Sequence, residues 1–303
     1  MRVFVTGASG FIGSAVVAEL IEAGHDVIGL ARSDEAASAV EAAGARAHRG
    51  ALDDLESLRS GAAAADGVIH TAYIHDFSRM PDAARTDLLA VETLGAALED
   101  SGRPMVITTG TALIKPGQVA TEEDSADSDS HPRLKAEDAA RAFAARGVRT
   151  SIVRPGASVH GEGDHGFVPV LIDIARDKGV AGYIGDGSNR WPAVHRLDAA
   201  NLYRLALENA DAGSVFHAIG DEGVPTREIA EVIGRHLGLP VVSIAPQDAA
   251  EHFGWMGMFF GIDAPASSAL TQERLGWRPD RVGLIEDLEQ GHYFARAARR
   301  VTV

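Results

Sequence analysis

Three glycines spaced by two residues, Gly7, Gly10 and Gly13 in "VTGASGFIG", stand between a short β-branched run and a helical pattern. Such a loop can cradle an anion. Gly7 permits a tight turn, Gly10 lets backbone approach a diphosphate, and Gly13 allows the helix to pack close to the strand while its N-terminus presents a positive dipole. At the end of the next strand a carboxylate would take the adenosine ribose hydroxyls of NAD. This chain has Ala31 there, followed by Arg32 and Ser33. No acid repels a 2′-phosphate, and the guanidinium fork of Arg32 suits one, so NADP (as NADPH) is expected over NAD. The plainer alternatives are a glycine turn without ligand and a surface arginine.

A second set of residues can move or direct protons. His131 and Lys135 in "SDSHPRLKAED" are four apart and share a helical face. An imidazole with a reference pKa of roughly 6.5 suits general acid work near neutrality, and reduction through His131 would weaken as pH rises. Ser130, His131 and Pro132 also read simply as a helix start, with Ser130 as cap. Tyr73 and His75 follow "GVIH" at the carboxyl edge of a strand, as proton donors or as an aromatic wall. Thr109 and Thr111 in "VITTGTAL" are placed to orient a carbonyl or to satisfy strand-end backbone groups. His160, His165, Asn189, Trp191 and His195 gather further on, but without a compact ligand spacing, and no metal is expected. Asp198 reads as a helix cap. "HFGWMGMFFGID", His252 to Asp263, either lines a bulky apolar site or packs a core or interface.

The elements that must position these residues alternate. "MRVFVTG" is a strand, "SAVVAELIEAGH" a helix, "DVIGLARS" a strand. The pattern continues through "GVIHTAY", the helical "AARTDLLAVETLGAALEDSG", "RPMVITTG", a helix from about Pro132 to Arg146, and "VRTSIVRPG". Strands separated by helices imply an α/β fold with a doubly wound parallel sheet of Rossmann type. The polar stretch between Pro116 and Pro132 reads as a solvated loop. We expect a nucleotide-binding body over residues 1–155, completed by about 190–220, and a smaller substrate lobe from 156–189 and 221–303.

Composition narrows the function. The chain has 303 residues, 46% of them hydrophobic, a formal charge of −15 and no cysteine. The charge disfavours nucleic acid and anionic membrane as partners and leaves a small-molecule substrate. The missing cysteines exclude thiolate nucleophiles, Cys-based metal sites and disulfides, which suits a cytoplasmic setting. No apolar run reaches the about 18 residues needed to span a bilayer, and glycine comes too early for a signal peptide.

"VTGASGFIG", "GVIHTA", "VRPGASVHG", "GDGSNRWPAVHRLDAA" and "ALTQERLGWRP", in this order, resemble the extended short-chain dehydrogenase/reductases, including the NAD-dependent epimerase/dehydratase group, over roughly residues 1 to 290. The resemblance implies that Gly7, Ser9, Gly10, Phe11, Ile12 and Gly13 hold the diphosphate. It implies that Leu52 packs near adenine, Ala72 lies by the ribose, and Pro155 and Val159 approach the nicotinamide. Ala51 departs from the family's usual aspartate beside adenine. Relatives of this kind often dimerise through the helices corresponding to Ala83–Asp100 and Pro132–Arg146, so a homodimer is expected.

The family pairs a catalytic tyrosine with a lysine four residues on, and none of Tyr73, Tyr183, Tyr203 and Tyr293 has one. Matching the local spacing puts His131 and Lys135 in those places. Counting back from "VRP" puts Asp129, Arg133 and Glu137 in the places of tyrosine, lysine and a following glutamate. In that register Arg133 holds ribose hydroxyls but cannot readily give up its proton. The expectation is an NADP-dependent oxidoreductase acting on a carbonyl, or an imine, of a hydrophobic small molecule. Its rivals are a catalytically silent NADP-binding redox sensor and a nucleotide-sugar epimerase or dehydratase.

Overall fold

Val3 to Thr6 are fully buried, which makes β1 (Arg2–Thr6) a central strand. Strands covered by helices on both faces carry such continuous apolar runs. The computed structural model describes residues 1–112 and 114–295. From β1 it alternates through α1 (Phe11–Glu22), β2 (Asp26–Ala31), α2 (Asp34–Ala42), β3 (Arg46–Arg49), α3 (Leu55–Ala63), β4 (Gly67–His70), α4 (Met80–Leu98), β5 (Pro104–Thr108), α5 (Lys135–Ala144) and β6 (Arg149–Pro155). The remainder comprises β7 (Ser158–His160), α6 (Phe167–Lys178), β8 (Ala181–Ile184), β9 (Arg190–His195), α7 (Arg196–Asn209) and β10 (Ser214–Ala218). Then follow β11 (Asp221–Pro225), α8 (Thr226–Leu237), β12 (Val241–Ile244), α9 (Ala249–Phe253), α10 (Met256–Phe260), α11 (Ala269–Leu275) and α12 (Leu284–Glu289).

The main sheet is a seven-stranded parallel sheet in the order β10-β6-β5-β4-β1-β2-β3. The chain runs outward from β1 to β3 and then returns to the other side at β4. That reversal opens a crevice at the carboxyl ends of β1 and β4, the place where doubly wound sheets bind ligands. One face is covered by α1 and α7 through Val16, Leu20, Leu202 and Tyr203. On the other lie α3, α4 and α5, with Leu58, Leu94 and Phe143. A Cβ on Gly95 would stand 2.4 Å from the Phe143 ring, so glycine there lets α4 and α5 approach.

Beyond β6 the architecture is smaller in scale. β11, β9 and β7 form a three-stranded sheet, and β12 pairs with β8. Trp191, Phe253, Met256 and Phe260 build a separate core between them. Within residues 190–220, β10 joins the main sheet and α7 covers it, whereas β9 belongs to the small sheet. The expected end of the substrate lobe, residues 296–303, lies outside the described residues.

Three local expectations are corrected. The helix predicted from Pro132 starts as a tight turn, Pro132–Leu134, capped by His131 rather than Ser130: His131 Nδ1 accepts the Arg133 N–H at 3.3 Å. Asp198 does not cap α7; His195 does, and the Asp198 carboxylate instead accepts the N–H groups of Asp280 and Arg281 at 3.4 and 3.1 Å. The acidic loop after Pro116 is pinned rather than merely solvated. Ala120 bridges to Ala266, and buried Glu122 accepts both the N–H and the hydroxyl of Thr271.

Candidate active site

The glycine loop sits between β1 and α1 at the crevice. Gly7 has φ +69°, and a Cβ on Gly13 would lie 2.0 Å from the Gly7 carbonyl oxygen, so both positions require glycine. Gly10 caps α1 without any side-chain hydrogen bond, and no acidic residue occupies the first turn. A helix start with unsatisfied N–H groups and no competing carboxylate fits a diphosphate. Ser9 is exposed, and Phe11 and Ile12 are half-buried in the same turn. Ala72 abuts it from the end of β4, its N 2.8 Å from where a Cβ on Gly7 would stand.

At the end of β2, Arg32 is exposed beside the N-terminus of α2. The Ser33 hydroxyl is taken up as the α2 cap, accepting the Ala36 N–H at 3.2 Å. Arg49, in register with Ala31 on the neighbouring strand, reaches back to the Ser33 carbonyl and to Asp34. Two guanidinium groups therefore flank the end of β2. Only the strand pairing reveals the second, because seventeen positions separate Arg32 from Arg49 in the chain. Leu52 is half-buried against the α3–α4 side core. Pro155 and Val159 lie at the end of β6 and within β7.

The candidate proton-carrying side chains do not all converge. Arg133 lies with its guanidinium carbon 3.9 Å from the centroid of the Tyr73 ring. The rings of Tyr73 and His75 meet edge to face at 5.4 Å. Burial pushes the Tyr73 phenol up from its ordinary pKa; the Arg133 charge opposes this, and that of Asp87 adds to it. Burial, then the Arg133 charge, lowers His131. Because its Nδ1 accepts a backbone N–H, the His131 proton belongs on Nε2. Lys135 is half-exposed and pairs with Asp129 at 3.4 Å, on the surface. Thr109 and Thr111, expected either to orient a carbonyl or to satisfy strand-end groups, both donate within the protein. The buried Thr109 hydroxyl donates to Glu137 at 2.6 Å, and the buried Thr111 hydroxyl donates to the Pro155 carbonyl at 3.3 Å.

Glu137 also binds Arg154 twice, at 2.9 and 2.5 Å, with the guanidinium side chain 0% exposed. The register counted back from "VRP" contains this pair, and it sets Arg133 one turn earlier on the side of Tyr73. Sequence reasoning passed over His70 and Asp87. The buried His70 Nε2 donates to Asp87 Oδ1 at 3.1 Å while its Nδ1 takes the Thr6 hydroxyl at 2.8 Å. A lone acid on the apolar face of α4, "TDLLAV", was the available signal.

The later histidines divide by role. His160 Nδ1 donates to Asp287 at 2.9 Å inside the small lobe, and His195 is the α7 cap. The exposed His165 meets the Phe11 ring at 5.8 Å and is close enough for its charge to act on His75. Among the described residues no cluster of three or more His, Asp or Glu could hold a metal ion. Asn189 donates to the Phe260 carbonyl at 2.7 Å, and buried Trp191 to that of Phe259 at 3.3 Å. In the aromatic segment Phe253, Met256 and Phe260 are core, as one of its readings has it, while Trp255 and Met258 are 41% and 61% exposed. Phe167, at the start of α6, contacts Trp191, Trp255 and Phe259 at 5.7, 5.9 and 5.4 Å between ring centroids.

Glycine loop, parallel sheet and crevice define a nicotinamide-dinucleotide fold, and the comparisons place it. Residues 3–219 match the NAD dependent epimerase/dehydratase family, and the chain belongs to it. That family depends on nicotinamide dinucleotides and is generally enzymatic. An uncharacterised protein of Schizosaccharomyces pombe is 49% identical over 295 residues, covering 97% of this chain and 100% of the relative. A Stigmatella aurantiaca enzyme, 4-hydroxy-2-methyl-3-oxo-4-farnesyl-3,4-dihydroquinoline-1-oxide ketoreductase, is 29% identical, covering 88% of this chain and 84% of its own. The crystal structure of DesIV, a dTDP-glucose 4,6-dehydratase of Streptomyces venezuelae with NAD and TYD bound, shares the fold. It has a TM-score of 0.78 and 22% identity, covering 97% of both chains. Among the described residues no helix is long and apolar enough to cross a membrane.

Proposed function

We propose that this chain is an NADP-dependent oxidoreductase that reduces a carbonyl of a hydrophobic small molecule, with Tyr73 as the proton donor. The observation that carries the reading is the Tyr73 phenol at the crevice edge with the Arg133 guanidinium on its ring. When bound, the reduced nicotinamide supplies hydride to the carbonyl carbon. The first-turn N–H groups of α1 hold the diphosphate, and Arg32 with Arg49 receive the ribose phosphate. The Tyr73 hydroxyl gives its proton to the carbonyl oxygen, so alcohol forms and a phenolate remains until solvent reprotonates it. Arg133 steadies that phenolate. Phe167, Trp255 and Phe259 offer the substrate an apolar wall. The ketoreductase relative, whose substrate bears a farnesyl chain, supports this class of reaction.

Oxidation of NADPH and NADH with a panel of hydrophobic ketones tests the reading. The expected result is turnover with NADPH preferred. Tight NADPH binding without oxidation on any member of the panel would instead favour a redox sensor.

A further inference from the structure

Arg133 is a cation whose one contact given among the described residues is the Tyr73 ring. Among the described residues the Arg133 guanidinium makes no hydrogen bond and no ion pair, and its buried Nε has no acceptor. The carboxylate acting on the same neighbourhood, Asp87, is buried against His70 and forms no ion pair with Arg133. A guanidinium donates only within its plane, so stacking one face on Tyr73 leaves its edge available. Leaving a partly desolvated cation unpaired is costly, and an arriving anion recovers that cost.

The surroundings point the same way. In a chain of net charge −15, the Arg133 charge reaches Tyr73, His75 and His131. His165 leads directly into α6, whose first residue, Phe167, joins Trp255 and Phe259 in an aromatic strip. The aromatic strip therefore begins two residues after His165.

We propose that Arg133 is the anion-recognition residue of the substrate site, and that the substrate is an amphipathic oxo acid. Its carboxylate lies on the edge of Arg133 and its apolar body lies against Phe167, Trp255 and Phe259. This rests on the reductase reading and narrows its substrate class. Arg133 then serves the substrate rather than the ribose of the cofactor.

The test is calorimetric binding of 2-oxo-4-phenylbutanoate and its methyl ester to the NADP⁺-loaded protein and to the protein alone. The acid is expected to bind at least about tenfold tighter than the ester, because a charge-assisted, bidentate contact is lost on esterification. In Arg133→Gln the preference should fall to about twofold or less, with NADP⁺ affinity unchanged, and Arg133→Lys should restore part of it. Equal binding of acid and ester by the wild-type protein, or of neither, overturns the proposal, and this comparison needs no variant to fold. Parallel loss of NADP⁺ and both probes in Arg133→Gln also overturns it, by assigning the arginine to the cofactor. If NADPH is oxidised by the ester without any preference for the acid, the anion site fails and the reductase stands. Preference for the acid without NADPH oxidation gives the reverse.

Discussion

The guanidinium of Arg133 lies on the ring of Tyr73, 3.9 Å from its centroid, although sixty residues of chain separate them. A fixed positive charge beside a buried phenol favours phenolate and works against the burial that raises its pKa. Arg133→Met should move the alkaline ultraviolet titration of Tyr73 upward and slow carbonyl reduction by about tenfold, as one pKa unit is worth about 1.4 kcal/mol. An unchanged titration midpoint would show that the ring contact carries no electrostatic effect.

The pH dependence separates the two candidate donors. A phenol held above its usual pKa is fully protonated through neutral and mildly alkaline pH, so reduction through Tyr73 should be flat from about pH 6 to 9. His131 is shifted the other way, because burial and then the Arg133 charge favour its neutral form. A rate falling steadily as pH rises through the mildly acid range, with chemistry limiting, would assign the proton to His131.

Cofactor choice should depend on both arginines at the end of β2. Arg32→Ala and Arg49→Ala should each lower the NADPH-over-NADH ratio of kcat/KM by about tenfold, in keeping with hydrogen bonds to charged groups worth about 1.5–3 kcal/mol. Loss confined to Arg32→Ala would leave Arg49 as a local tether of Ser33 and Asp34.

Glu137 is a structural anchor. Burial acts to raise its pKa, but hydrogen bonding and charge from Arg154, then Thr109 and Arg141, outweigh this and hold it below its usual 4.5. Glu137→Gln strands a guanidinium with 0% exposure and should cost about 3–5 kcal/mol in urea denaturation at neutral pH. A carboxylate with a lowered folded pKa stabilises fully above its unfolded pKa and loses that contribution as pH falls through the folded value. The gap between wild type and variant should therefore close below 4.5. A gap independent of pH would contradict an ionised Glu137.

Legibility followed locality. The glycine loop and the strand–helix alternation are read from neighbouring residues, and the sheet follows them at β1, β2, β4, β5 and β6, whereas the short, half-exposed β3 carries no apolar run to read. What escaped depends on contacts distant in sequence. Arg49 reaches the end of β2 only through pairing of β3 with β2. His70 meets Asp87 across the β4–α4 crossover. Thr109 and Thr111 sit where a substrate hydroxyl is expected, yet hydrogen bonding to Glu137 and Pro155 occupies their protons. His131 and Lys135 have the right spacing for a dyad, but a cap and a surface ion pair take them.

The most direct measurement is single-turnover NADPH oxidation by a hydrophobic ketone in wild type and Tyr73→Phe, with NADPH binding measured alongside. The account predicts unchanged binding and a hydride-transfer step slowed by about 10²–10⁴-fold, the usual effect of removing a general acid. A Tyr73→Phe variant that oxidises NADPH at the wild-type rate would contradict it.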